Sequence, residues 1–110
     1  MLFRSHADSE LLTLLGTRRW RPSPIATVST CSGSDALAQA VASRTGALVE
    51  AMEGAGVLLA AARAGVAAAE IRVVSNTTGD RSRQIWKMPL AMSTLAAVAA
   101  ELAAIASSGS

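Results

Sequence analysis

The sequence predicts an α/β domain with a mostly parallel sheet and flanking helices. Segments with helical spacing alternate with short apolar, β-branched segments, in the order helix, strand, helix, strand, helix, strand, helix. The connections between them are a few residues long, and this alternation is typical of βαβ units in a parallel sheet. The 110 residues are 51% hydrophobic with a net charge of +2, as expected of one folded domain.

Capping signals and apolar spacing define the first four elements. Residues 7–16 predict a short helix with acidic residues early and a glycine at its end. Residues 25–30 are nearly unbroken apolar and predict a strand covered on both faces. A serine or aspartate after the next turn can cap a second helix that ends at Gly46, and residues 47–52 follow as the second strand.

The second half of the chain continues the alternation. Residues 54–65 predict a third helix closed by an arginine and a glycine, and residues 69–76 predict a third strand followed by a loop. The last helix is expected to begin near Asp80 as its N-cap and to run to about Ala106. It can contain Pro89 only if it kinks or restarts there.

Composition restricts the classes of protein that this chain can represent. Only 3% of residues are aromatic, so the core must be built mainly from Ala, Val, Leu, Ile and Met. The single cysteine, Cys31, excludes a disulfide framework, fits a reducing cytoplasmic location, and is expected to be a small buried side chain. The arginine clusters lack the density and aromatic neighbours of a nucleic-acid surface, so we expect no nucleic-acid partner.

The two ends of the chain favour a protein that is neither exported nor membrane-bound. The N-terminus lacks the basic and apolar regions of a signal peptide. The late apolar run "PLAMSTLAAVAAELAAIA" is short for a bilayer span, is rich in alanine and contains Glu101. We therefore expect a soluble helix and no membrane partner.

Polar side chains stand at the ends of the second and third predicted strands. Met52 and Glu53 end the second strand, and Ser75 and Asn76 end the third. Because open parallel sheets bind ligands outside the carboxyl ends of their strands, a carboxylate and an amide should project from one edge of the sheet. The sequence thus predicts a binding cleft there.

Each of these residues also has an ordinary structural interpretation. Glu53 can be a charge in the first turn of a helix, where the helix dipole stabilises it by about 0.3–1 kcal/mol. Asn76 can cap its own backbone in an Asx turn. Arg81 is by default a solvated helix residue, and Met52 a core residue. GxSxG, Walker, CxxC and HExxH motifs are absent from the sequence.

Two motifs carry a family resemblance. The segments "VEAMEGAGV" at 49–57 and "EIRVVSNTTGDRSRQIW" at 70–86 resemble the ribose-binding and base-binding motifs of the purine nucleoside phosphorylase and nucleosidase superfamily, and within it the futalosine hydrolases. The resemblance covers roughly residues 20–100. It implies a partial nucleoside phosphorylase-like three-layer fold. The activity it implies is cleavage of the small nucleoside futalosine to hypoxanthine and dehypoxanthinylfutalosine, in menaquinone biosynthesis.

The resemblance also implies roles for individual residues. Glu53 would accept hydrogen bonds from the ribose hydroxyls, with Met52 packed against the sugar. Asn76 would act on the purine as the catalytic and base-binding residue, where adenine-cleaving relatives have an aspartate. Its amide suits the 6-oxo edge of hypoxanthine, whereas a carboxylate would repel that edge. Arg81 would hold the carboxylate of futalosine.

Further expectations follow from the same resemblance. No cofactor and no metal are expected, and the full-length protein is expected to be a homo-oligomer in the cytoplasm. Family members have an additional N-terminal half with a glycine-rich start and an acidic residue that activates water. We therefore expect residues 1–110 to be a single domain that forms the C-terminal part of a nucleosidase, incomplete and inactive alone.

Two interpretations concern the ends of the chain. The first six residues, 1–6, are a candidate for non-native sequence, and residues 107–110 are expected to form a flexible tail. Two other functions stay open. One is a related methylthioadenosine nucleosidase or a phosphorylase, and the other is a non-catalytic module that associates through an exposed strand edge.

Overall fold

A computed structural model describes residues 5–16 and 20–108 of the chain. It has four helices around a small sheet. The strands are β1 (Ile25–Thr27) and β2 (Val49–Ala51), and the helices are α1 (Ser9–Leu15), α2 (Asp35–Thr45), α3 (Gly54–Ala64) and α4 (Met88–Ser108), with a 3-10 turn at Arg81–Arg83.

The first three helices lie where their capping residues predict them. At α1 the Asp8 carboxylate accepts from the N–H of Leu11, at 2.9 Å, which satisfies one of the free N–H groups at the helix start. At α2 the Ser34 hydroxyl accepts from Leu37 in the same way. Gly46 and Gly65 end α2 and α3 with φ of 70° and 71°, the left-handed conformation that favours glycine.

The sheet confirms the α/β class and the parallel arrangement. β1 and β2 are hydrogen-bonded neighbours in parallel register, with Ile25 opposite Val49 and Thr27 opposite Ala51, and α2 makes the crossover between them. Each strand has three residues, fewer than the six that the apolar patterns suggest. The sheet therefore positions the chain turns after β1 and β2 close together at one edge.

The third predicted strand does not form. Residues 69–75 have no strand assignment, and only Asn76 makes an isolated antiparallel bridge, to Trp86. The prediction was wrong because a β-branched run favours an extended backbone but a strand also needs a hydrogen-bonded neighbour. Here the side chain of Arg72 forms ion pairs with Glu70 and with Glu53, the residue before α3.

The last helix begins later than predicted. Asp80 precedes only the 3-10 turn and makes no capping hydrogen bond, because its carboxylate accepts from Asp35 and Arg83 instead. The helix α4 starts at Met88, so Pro89 falls in its first turn, where a missing N–H costs no helical hydrogen bond. Of the two outcomes expected at Pro89, a kink or a new helix start, the structure has the new helix start.

The chain ends are described only in part. α4 extends through Ser108, so residues 107 and 108 are helical, and the flexibility of residues 107–110 stays a prediction. Residues 109–110, and four of the six residues proposed as non-native, lie outside the described residues.

The core is small and consists of small side chains. Among the described residues the buried apolar ones are Ala26, Ala47, Ala51, Ala91 and Val98. Many large apolar side chains are exposed, including Met52, which disagrees with its alternative interpretation as a core residue, and Cys31 is exposed rather than buried. The accessible surface is 7998 Å², whereas a compact protein of this mass exposes about 5,700 Å². Considerable apolar surface is therefore uncovered.

α4 is the one helix of the described region long and apolar enough to span a bilayer, judged by length and composition alone. Its 21 residues exceed the 18-residue run considered in the sequence, which removes the argument that the segment is too short. Core helices of water-soluble proteins share these properties.

Candidate functional site

Glu53 lies at the junction between β2 and α3. It precedes the first residue of α3, but its side chain caps no N–H group of that helix. Instead, its carboxylate accepts from Nη2 of Arg72 at 3.1 Å, while 65% of the Glu53 side chain stays exposed. An exposed carboxylate held by one cation can still accept hydrogen bonds from a ligand.

Arg72 connects Glu53 to a second carboxylate. Its Nε donates to Glu70, and the hydrogen bond to Glu70, followed by the nearby charges, raises the pKa of Arg72 above its ordinary value. The side chain of Glu70 is 16% exposed and that of Arg72 is 34% exposed, so this pair is more shielded than Glu53. Glu70 thereby fixes the arginine that orients Glu53.

Gly54, the first residue of α3, is where the Glu70 carboxylate approaches the helix backbone. A Cβ at Gly54 would lie 2.1 Å from Oε1 of Glu70, which is sterically impossible unless Glu70 moves. Gly54, Glu70 and Arg72 line the same surface pocket as Val57 and Leu58 of α3. The φ of Gly54 is not positive, so it is the approach of the Glu70 carboxylate, and not the backbone conformation, that a larger residue would disturb.

Asn76 lies in a hairpin-like segment, residues 75–87, that we call the site loop. The loop is closed by backbone hydrogen bonds from Thr77 N to Ile85 O, 3.1 Å, and from Lys87 N to Ser75 O, 2.8 Å. The Asn76 amide accepts from the Ser75 hydroxyl at 2.7 Å and donates to Thr77 O at 3.0 Å. One N–H and one lone pair of the amide remain available to a ligand.

The two arginines of the 3-10 turn differ in their contacts. Arg83 pairs with the carboxylates of Asp35 and Asp80. Arg81 has no ion pair among the described residues, and its guanidinium lies beside Gly33, where a Cβ would meet Nε at 2.9 Å. Arg81 is thus the arginine of this turn that can take an external anion.

Asp35 and Asp80 anchor the tip of the site loop to the start of α2. Asp35 N donates to Asp80 Oδ1 and Asp80 N donates to Asp35 Oδ1, both at 2.9 Å. The N–H of Asp35, together with the guanidinium of Arg83, lowers the pKa of the Asp80 carboxyl below its ordinary value. Each carboxylate of this reciprocal pair accepts from the backbone N–H of the other residue.

Glu50 is a functional-site neighbour to which the sequence pattern assigned no role. Its two carboxylate oxygens accept from the N–H and the hydroxyl of Ser32, each at 2.8 Å, and Ser32 is 4% exposed. The two residues lie 18 positions apart in the sequence, so no local motif predicts this contact.

The four residues predicted for the site do not form one hydrogen-bonded cluster. Met52, Glu53, Asn76 and Arg81 make no hydrogen bond to one another within the described segments. Glu53 and Asn76 are linked instead along the chain through Arg72, and Asn76 and Arg81 share the site loop. No group of three metal-binding side chains occurs among residues 5–16 and 20–108.

Two curated proteins are similar to part of this chain. Futalosine hydrolase of Acidothermus cellulolyticus is 51% identical over 72 residues, which are 64% of this chain and 30% of that protein. Futalosine hydrolase of Streptomyces coelicolor is 43% identical over 86 residues, 77% of this chain and 37% of that protein. The chain spans about a third of the length of these curated relatives.

The chain matches a protein-family model but no solved structure. No solved structure matches the chain significantly. The family model described as the Phosphorylase superfamily matches residues 3–106, which is nearly the whole chain. Its α/β architecture with a parallel sheet agrees with this assignment. The chain therefore belongs to the phosphorylase superfamily.

Proposed function

We propose that this chain forms the ribose- and purine-binding portion of an N-glycosyl hydrolase that cleaves futalosine. The observation that carries the proposal is Glu53, an exposed carboxylate oriented by Arg72 at the carboxyl end of β2. Both curated relatives described above are named futalosine hydrolases, and they support the choice of substrate. The hydrolase would release hypoxanthine.

Glu53 has the chemistry that this cleavage requires. Breaking an N-glycosidic bond places positive charge on the ribose, and a fixed anion beside the sugar stabilises that charge more than it stabilises the neutral substrate. Arg72 keeps the Glu53 carboxylate in place. The Glu53 side chain is 65% exposed, which leaves room for ribose hydroxyls. Met52, 51% exposed, offers an apolar surface for the sugar.

Asn76 and Arg81 supply the remaining contacts in this proposal. Hydrogen bonds to Ser75 and Thr77 fix the plane of the Asn76 amide, which leaves one donor and one acceptor for a 6-oxopurine. Arg81 stands on the same loop without an ion pair among the described residues. It is suited to the substrate carboxylate because a guanidinium binds planar anions through two hydrogen bonds.

Nucleoside titration of the 110-residue chain tests the proposal. We expect futalosine to shift the NMR signals of Gly54 and Asn76, and Glu53→Gln to weaken binding about tenfold, as expected for loss of a charged hydrogen bond. Glu101→Gln is the matched control, because Glu101 is an exposed carboxylate on α4. Absence of any shift at millimolar futalosine, or equal weakening by the control, would refute the proposal.

A non-catalytic associating module is a second candidate, favoured by the excess of exposed apolar surface. Light scattering separates the two. Association that rises with concentration, without a response to nucleosides, supports the module and not the hydrolase.

A further inference from the structure

Glu50 occupies a position that the proposed chemistry does not use. It is the central residue of β2, is half-buried, and directs both carboxylate oxygens to Ser32 in the turn after β1. Burying a carboxylate is costly unless it is hydrogen-bonded, and here the N–H and the hydroxyl of Ser32 both donate to it. Glu50 therefore fixes the backbone position of Ser32.

Ser32 is also where the site loop attaches to the rest of the fold. The carbonyl oxygen of Ser32 accepts from Gly79 N at 3.3 Å and from Gln84 Nε2 at 3.5 Å. Gln84 Nε2 donates to Gly79 O as well, at 2.9 Å, which ties both arms of the loop together. The N–H of Ser32 is held by Glu50 while its carbonyl holds the loop.

The site loop transmits this attachment to Asn76 and Arg81. Cross-loop hydrogen bonds and the bridge between Asn76 and Trp86 make residues 75–87 one connected unit. We therefore expect a shift of Gly79 to move the Asn76 amide and the backbone of Arg81. The other attachment, between Asp35 and Asp80, consists of exposed groups, whereas Ser32 is buried.

We propose that Glu50 is a positioning residue for the site loop, acting through Ser32 on Gly79 and so on Asn76. What the loop contacts in a ligand rests on the proposed function, but the mechanical link from Glu50 to the loop does not. A merely structural Glu50 would stabilise all elements alike, whereas a positioning Glu50 acts on residues 75–87 selectively.

Amide hydrogen exchange measured by NMR on the 110-residue chain distinguishes these two roles. Glu50→Ala leaves the buried Ser32 N–H unpaired, and we expect exchange at Gly79 to rise about tenfold or more. Exchange at Val98 of α4 should change less than about twofold, since no hydrogen bond of Glu50 or Ser32 reaches it and sites without shared partners couple weakly. Equal acceleration at both amides, or no change at Gly79, overturns the proposal.

Two milder variants keep the proposal testable if Glu50→Ala fails to fold. Glu50→Gln keeps an acceptor for the Ser32 N–H and a partner for its hydroxyl, so Gly79 exchange should stay within about threefold of the wild type. Ser32→Ala removes only one of the two hydrogen bonds, and we expect an increase of about fivefold. A glutamine variant as fast as the alanine variant, or a serine variant with unchanged exchange, contradicts the mechanism.

Nucleoside binding provides a separate readout. If futalosine binds the wild type, Glu50→Ala should weaken it while Glu50→Gln restores most of the affinity. If the wild type binds no nucleoside but the exchange pattern is as expected, the proposed function fails and the positioning role of Glu50 stands. If the wild type, Glu50→Ala and Glu50→Gln all bind futalosine with the same affinity, the positioning role fails and the proposed function stands.

Discussion

Replacing Gly54 by alanine tests how closely the Glu70 carboxylate approaches α3. The added Cβ would lie 2.1 Å from Oε1, 2.4 Å from Oε2 and 2.5 Å from Cδ of Glu70. The carboxylate must move, and in moving it leaves Arg72, which then no longer holds Glu53 as it does now. Gly56, two residues later in the same helix, is the matched control because a Cβ there meets nothing within 4 Å.

The expected free energies have opposite signs. Gly56→Ala should raise the free energy of unfolding by about 0.5–1 kcal/mol, because glycine in a helix loses more backbone entropy than alanine. Gly54→Ala gains at most the same amount and loses a charged hydrogen bond worth about 1.5–3 kcal/mol. We take the lower part of that range because Arg72 is one-third exposed. Gly54→Ala should thus be destabilised by about 1 kcal/mol, or about 2 kcal/mol relative to Gly56→Ala.

Thermal unfolding followed by circular dichroism measures this difference. In a domain of this size about 1 kcal/mol corresponds to a Tm change of roughly 4–8 °C. A double-mutant cycle with Glu70→Ala isolates the contact: in that background Gly54→Ala should no longer be destabilising. If Gly54→Ala raises the Tm as much as Gly56→Ala does, the close approach of Glu70 is not what requires the glycine.

Three further outcomes are expected. In a catalytically competent, full-length protein Asn76→Asp should shift preference from 6-oxopurine to 6-aminopurine nucleosides, because a carboxylate repels a carbonyl edge; an unchanged ratio of released hypoxanthine to adenine contradicts the base-reading role. Arg81→Met should weaken futalosine binding about tenfold and leave inosine binding unchanged; equal losses for both nucleosides would show that Arg81 does not bind the carboxylate. The lowered pKa of Asp80 stabilises the loop anchor fully above its ordinary value of 3.8, and this contribution is lost as the pH falls through the lower folded value. The protection factor of the Gly79 amide, which removes the intrinsic pH dependence of exchange, should therefore fall only in acid, and Asp80→Asn should abolish that fall.

Local signals predicted the helices well. The starts of α1 and α2 follow from capping side chains and the ends of α1, α2 and α3 from terminal glycines, which act within a few residues of the helix end. Strand lengths and the missing third strand were not predictable in this way, since pairing depends on distant backbone. Residues 69–76 have the composition of a strand, but within the described part of the chain only Ser75 and Asn76 have a backbone hydrogen-bonded neighbour, which is the other arm of the site loop.

Tertiary contacts explain where prediction of the site was incomplete. Asp80 has a typical capping side chain, yet its carboxylate is bound by Asp35, 45 residues away. The roles of Glu50 and Arg72 depend on partners 18 and 19 residues away, which no motif spacing reveals. Glu53, Asn76 and Arg81 were identified from strand ends and family resemblance, and their functional roles stay predictions.

The way Arg72 bridges two carboxylates makes the site sensitive to ionic strength. Exposed charges are screened over about 10 Å at 0.1 M salt, whereas hydrogen-bonded helix caps are not. Arg72 and Glu53 are 3.1 Å apart, well inside that distance, so added salt weakens their attraction without separating them. How strongly Arg72 holds the Glu53 carboxylate therefore depends partly on the salt concentration around the protein.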